Sequence, residues 1–428
     1  APTQSPDSQP AGGATRMSSF QSSFQRRDFL RGLAALGGVS SFPVAASACL
    51  GANEDEAPTL VLLQLTGGND GLSMISPHGD DDYHRARPSL ARRADDLLPI
   101  DDYRGFHPAL ERLRAQYAEG DLALIEGVGY PNPIRSHFKS YDVWHAADLR
   151  GRSIAEGWVG RVLREGCPVE DRTPELVVHV GKEPPISLHS AETPPIAFRT
   201  AAGYRWVDGE AGEGGEDVMR RSSDDADEAP KRGREARLER LSGLLRDAHQ
   251  SSGRVREAVA AYKPKSKYPQ GGFGDALRTI AALVDARLGT RVASVELGGF
   301  DTHSSQKNRH DNLMRSLDQG VAAFLSDLRA RGHEKRVVVM VFSEFGRRVK
   351  ENASRGTDHG TAGPMMVFGS GVKGGLYGAH PSLTDLDQGD LRFTTDFRSV
   401  YSASVDRCFG AGLGKRVIGF DPLKKLFA

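Results

Sequence analysis

Val337-Val338-Val339-Met340-Val341-Phe342 is followed directly by Ser343-Glu344-Phe345-Gly346-Arg347-Arg348. Six consecutive apolar side chains without polar alternation predict a strand buried on both faces, as in a parallel sheet between two helix layers. A polar loop follows, carrying Gly356-Thr357-Asp358-His359-Gly360-Thr361, and then a second apolar run, Met365-Met366-Val367-Phe368-Gly369. In open α/β sheets ligands bind beyond the carboxyl ends of the strands. Glu344 stands just past such an end. The glycine-flanked loop with Asp358 and His359 can return to it.

The same grammar recurs along the chain. Thr59 to Leu65 reads as a buried strand and ends in Thr66-Gly67-Gly68-Asn69-Asp70-Gly71, where glycines permit close backbone approach. Taken alone, this Asn-Asp pair is a common turn former. Leu122-Ala123-Leu124-Ile125 predicts another strand, leading to Arg135-Ser136-His137-Phe138 and a helix that extends to about Leu149. Ser136 then sits at a helix N-terminus, either as a simple cap or as a nucleophile activated there. Val292 to Leu297 predicts a strand ending in Gly298-Gly299-Phe300-Asp301-Thr302-His303. Asp301 and His303 are two apart, so extended backbone points both to one face. They are either a start for a divalent-metal site or a hydrogen-bonded Asp–His pair.

Further strands are expected over Glu175–Val180 and Pro195–Phe198, and helices over Pro108–Tyr117, Gly274–Leu288, Asn312–Ala330 and from Phe393 onward. Residues 77–107 read as a polar loop excursion. Residues 207–237 are charged and glycine-rich with few large apolar groups, which marks a polar insertion. The fold class expected is α/β, with a large mostly parallel sheet sandwiched by helices.

The bulk numbers set bounds. The 428 residues are enough for a large core. Lys plus Arg and Asp plus Glu both number 56, so no basic field points to nucleic acid. Cys49, Cys167 and Cys408 show neither metal-ligand spacing nor a disulfide framework. Residues 1–24 are rich in Ser, Gln, Gly and Pro and are expected to be disordered. Gln25-Arg26-Arg27-Asp28-Phe29-Leu30 then precedes a short apolar run to Ala48, the pattern of an export signal of the twin-arginine type. The domain division expected is therefore 1–48 as disordered N-terminus plus signal, and 49–428 as one folded domain. Cleavage after Ala48 would release a soluble protein, whereas Cys49 could instead carry a lipid. The location expected is periplasmic or extracellular, with the twin-arginine translocase as a partner and no transmembrane span in the mature chain.

Taken together, the signal, the Leu65–Gly71 turn, Arg135–Phe138, Gly299–His303, Ser343–Arg347 and Thr357–Thr361 resemble the domain of unknown function 1501 family. That family is similar to the alkaline phosphatase and sulfatase superfamily, and the resemblance implies an alkaline-phosphatase-like fold. It also implies Ser136 in the place of the nucleophile. Asp70, Asp301, His303, Glu344 and His359 fall in the places of metal ligands, with Asp358 a ligand or a ligand's partner. One or two divalent ions are implied, with zinc, calcium and magnesium not distinguished. The superfamily usually shows Asp with a His four residues later, and an Asp-His pair where this chain has Ser343-Glu344. On that count this chain is poorer in imidazole, so one metal site would be incomplete or suited to a harder ion than zinc.

The function expected is an exported metal-dependent hydrolase of phosphate or sulfate esters. Asn69, Arg135 and Arg347 would hold the small anionic ester substrate, the arginines by forked hydrogen bonds. The alternative is a catalytically degenerate binding or assembly protein on the same scaffold. A further alternative is a metal-free sugar-binding cleft with Ser136 only a cap.

Overall fold

A computed structural model describes residues 57–150, 156–205 and 248–428. The expected signal, Cys49 and the polar insertion near 207–237 lie outside the described residues. Among the described residues, nine strands make the central sheet. They are β1 (Thr59–Thr66), β2 (Leu122–Gly129), β3 (Val177–Val180), β4 (Ile196–Phe198), β5 (Val292–Gly298), β6 (Val337–Phe342), β7 (Gly363–Gly369), β8 (Gly375–Tyr377) and β9 (Thr395–Asp396).

Their order is β8-β2-β7-β6-β1-β5-β3-β4, with β9 also paired to β2. β6, β1, β5, β3 and β4 run parallel to one another. β7 is antiparallel to both of its neighbours, β6 and β2. β2 therefore points the same way as β6, and β8 and β9 run with it. The single reversal has a local cause. The chain leaves β6 through a loop rather than a crossover helix, and a parallel return would need the crossover.

Every residue of β6 is buried, as a strand covered on both faces must be. Alternate side chains enter two separate cores. Val61, Leu63 and Val339 pack beneath α1 (Glu111–Glu119), α4 (Gly272–Asp285) and α5 (Gln306–Arg329). Leu60, Leu62 and Val338 face α2 (His137–Ala146), α3 (Trp158–Gly166) and α6 (Phe397–Phe409). The α/β fold with a mostly parallel sheet between helices is the one the sequence predicts. No helix of the described residues is long and apolar enough to cross a membrane.

Residues 77–107 are more ordered than expected. They hold a short helix, Asp81–Ala86, and two strands, Leu98–Pro99 and Gly105–Phe106, which form a small sheet with Ile75–Ser76. The excursion also delivers Arg87 to the buried end of β1.

At the carboxyl edge of the sheet the first turn is made by Gly67 and Gly68, with φ of +117° and +75°. A Cβ on Gly67 would lie 2.5 Å from the backbone nitrogen of Asp301. Only glycine lets the β1 and β5 turns approach this closely.

Candidate metal centre

Parallel strands put their carboxyl ends along one edge, so the turns after β1, β5 and β6 meet there, together with the start of α2 and the loop before β7. Four side chains converge: His137 from α2, Asp301 and His303 from the β5 turn, and His359 from the loop. One ligand atom each from His137, Asp301 and His359 all lie within 4.8 Å of one another. The Nε2 of His303 is 3.0 Å from Asp301 Oδ1 and 3.0 Å from the Nε2 of His359. His359 Nε2 is 3.1 Å from the same Asp301 oxygen, and His137 Nε2 is 3.7 Å from Asp301 Oδ2.

Each imidazole is held from behind through its Nδ1. His137 Nδ1 meets Glu344 Oε1 at 2.8 Å, His303 Nδ1 meets Asp358 Oδ1 at 3.2 Å, and His359 Nδ1 meets the carbonyl of Arg135 at 2.8 Å. A carboxylate or carbonyl can only accept, so each neutral ring carries its proton on Nδ1 and turns an Nε2 lone pair inward. Facing lone pairs 3.0 Å apart, beside a carboxylate oxygen, repel unless a cation sits among them. Two imidazole nitrogens bound tetrahedrally at about 2.0–2.1 Å would stand roughly 3.3 Å apart. The donor set and its spacing fit a divalent metal ion.

The surroundings fix the charge state. Glu344 is fully buried, and its Oε1 also accepts from the Gly67 N–H at 2.9 Å and the Tyr141 hydroxyl at 3.1 Å. Burial pushes its carboxyl up, but the His137 and backbone hydrogen bonds bring it below the ordinary range. Glu344 in turn raises the His137 pKa. Burial also works against the Asp301 carboxylate, yet the hydrogen bond and charge of the Arg347 guanidinium hold it at about 2.

Arg347, called as a substrate ligand, is wholly buried and stitches the turns together. It donates to the carbonyls of Gly68 at 2.7 Å, Thr357 at 2.8 Å, Phe300 at 3.1 Å and Gly67, and to Asp301 Oδ1 at 2.7 Å. Its fork is used up by the protein. Arg135 pairs with Asp390, its Nε 2.5 Å from Oδ2, while its side chain stays a third exposed. Asn69 is buried and spends its amide on Met74 Sδ and His310 Nε2.

Asp70 stands apart from the cluster. Arg87 clamps it with Nη1 at 2.6 Å and Nη2 at 2.9 Å, Ser73 donates to Oδ2 at 2.6 Å, and Gln306 donates to the same oxygen. Burial opposes its charge, but Arg87 holds the carboxyl far below its ordinary value. Glu344 and Asp358 lie behind the imidazoles of His137 and His303 rather than among the converging atoms. Ser136 is the N-cap residue of α2, yet its side chain makes no cap hydrogen bond. It lies between Arg135, whose carbonyl orients His359, and His137 of the cluster. His137 is the residue that sequence reasoning passed over. Its only signal was adjacency to Ser136, and counting it removes the expected shortage of imidazole.

No curated protein matches the chain in sequence. Solved structures similar to it include Ps i-CgsB in complex with k-i-k-neocarrahexaose, at 10% identity and a TM-score of 0.40, covering 86% of this chain and 75% of that one. Another is the C-terminal periplasmic domain of EcEptC from Escherichia coli in complex with zinc, at 10% identity and a TM-score of 0.36, covering 77% of each chain. A protein in the alkaline phosphatase superfamily from Vibrio parahaemolyticus is similar at 7% identity and a TM-score of 0.37, over 83% of this chain and 67% of that one. The pattern of the family described as Protein of unknown function (DUF1501) matches residues 127–397, a span that takes in Ser136, His137, Asp301, His303, Glu344 and His359. With more than half of its length matched, the chain belongs to that family.

Proposed function

We propose that this protein is an exported, metal-dependent hydrolase of phosphate or sulfate esters, with Ser136 as the nucleophile. The observation that carries the reading is the inward set of three Nδ1-anchored imidazoles around Asp301. His137, Asp301, His303 and His359 would be the ligands, a donor set that suits zinc better than calcium or magnesium. A bound ion would supply Lewis acidity toward the anionic group and its developing charge.

The chain's own residues do the rest. Ser136 Oγ, free of a capping bond, stands at the N-terminus of α2, where unpaired N–H groups favour negative charge. As the hydroxyl gives up its proton to solvent, its oxygen forms a bond to phosphorus or sulfur, the ester oxygen leaves with the bonding pair and takes up a proton, and water then releases the group from the serine. Glu344 and Asp358 hold two imidazoles in register through their Nδ1 protons. Arg347 keeps the β1 and β5 turns and the His359 loop at fixed spacing. Export rests on the Arg26-Arg27 signal pattern.

A second reading has its own support. Asp70 is neutralised by Arg87, and Arg347 is spent on carbonyls and on Asp301, so among the described residues one ion and no free buried arginine would serve the cleft. A metal-dependent binding protein needs no more than that. Elemental analysis with a panel of phosphomonoesters, phosphodiesters and sulfate esters separates the two. The hydrolase reading expects about one zinc per chain and turnover that Ser136→Ala abolishes, with stability changed by less than the ~1 kcal/mol a cap would cost. Metal-replete protein without turnover on any ester supports binding alone, and Ser136→Ala at wild-type rates removes the nucleophile.

A further inference from the structure

At the opposite edge of the sheet, beneath the amino ends of β1 and β5, lies a small cavity lined in part by Arg291 and Thr290. Arg291 is the residue before β5 and is 4% exposed. Its Nη2 donates to the carbonyl of Cys408 near the end of α6, and its guanidinium carbon lies 4.9 Å from the ring centroid of Phe409. Nε and Nη1 find no hydrogen-bond partner, and neither does the hydroxyl of the adjacent, buried Thr290. Among the described residues, no carboxylate pairs with Arg291. Thr290, Arg291, Thr59, Arg287 and Arg336 line a cavity of about 40 Å³.

Arginine keeps its charge in a protein interior, and a buried charge without a counter-ion costs several kcal/mol. Burial presses the Arg291 pKa down with no carboxylate to restore it. A phenyl ring and one carbonyl do not neutralise a guanidinium. The missing element is a negative charge that can accept from Nε, Nη1 and the Thr290 hydroxyl together. About 10–15 Å³ of such space holds a water, so the cavity has room for one small ion.

We propose that Arg291 and Thr290 form a structural site for a single small inorganic anion of chloride size, on the sheet edge remote from the metal centre. The site ties the amino end of β5 to the end of α6 through the bound charge. It does not depend on the hydrolase reading.

The test uses the full chain, with bromide as a chloride stand-in that anomalous diffraction can see. Wild-type crystals soaked in sodium bromide should show an anomalous peak within hydrogen-bond reach of Arg291 Nε and Nη1. Phosphate or sulfate bound in the same place after parallel soaks would overturn the limit to chloride size. Thr290→Val keeps the side-chain shape and the guanidinium, and should weaken bromide binding about tenfold in a calorimetric titration. Arg291→Gln should abolish it, and the milder variant guards against a fold that fails without the arginine. An ordered water in the cavity, a carboxylate of the chain filling it, or Thr290→Val binding bromide as wild type would each overturn the proposal.

Discussion

Glu344 and Asp70 both follow parallel strands and both are buried, yet they end in different employments. Glu344 accepts from His137, Gly67 and Tyr141 and steers an imidazole toward the cluster. Asp70 meets a guanidinium fork. Replacing Glu344 with Gln should keep the fold, seen by circular dichroism, and lower metal affinity about 10–100-fold in chelator competition. An unchanged affinity would show that the Glu344–His137 contact does not tune the site. Asp70→Asn has the opposite profile. It leaves Arg87 buried without a counter-charge, which costs about 3–5 kcal/mol in denaturant unfolding. Metal content of the folded fraction should stay as in wild type, and its loss would place Asp70 among the ligands after all.

At the scale of elements, the β1 turn and the loop after β6 set the spacing of the site. Gly67 holds a left-handed φ, sends its N–H to Glu344 and its carbonyl to Arg347, and leaves no room for a Cβ. Gly67→Ala should destabilise the protein by about 1–3 kcal/mol through strain and contact. It should also loosen metal binding, because the β5 turn that carries Asp301 must shift. A variant with normal stability and affinity would show that the turn can relax without moving Asp301. The elements themselves were legible to different degrees. The continuous apolar run Val337–Phe342 suits a doubly buried strand, and it is one. The reversed direction of β7 was not legible, because a short apolar run reads the same either way. The excursion at 77–107 was read as loop because strands two residues long carry no periodicity.

For the molecule as a whole, buried histidines govern acid behaviour away from the candidate metal centre. His145, His179 and His310 are each pushed by burial from 6.5 to about 4. The unfolded chain binds these protons near pH 6.5 while the folded chain refuses them until about pH 4, so stability falls as pH drops through that window. His137 acts in the opposite sense, since its folded pKa is raised and its contribution is greatest below the unfolded value. Burial lowers His107 and His189 in the same sense as those three, so with five against one the unfolding free energy in chelator should decrease from pH 7 to pH 5 with net proton uptake on unfolding. The contribution of Asp70, whose carboxyl is depressed, persists until the pH falls below about 3.8, its ordinary value. Stability that is flat or rises toward pH 5 would contradict the buried neutral state of these rings.

The sequence alone determined the strand-and-helix alternation, the glycine turns and the edge of the sheet at which acids and histidines gather. Those are local properties, written in apolar runs and in backbone freedom. Tertiary structure decided which charge meets which. Arg87 reaches Asp70 from a segment that sequence reads as loop, Glu344 reaches His137 across 207 positions, and Arg347 turns inward to carbonyls of three other segments. A buried charge must find a partner, but the strand order β7-β6-β1-β5 chooses among the partners on offer. That choice made His137, Asp301, His303 and His359 the cluster and left Asp70 outside it.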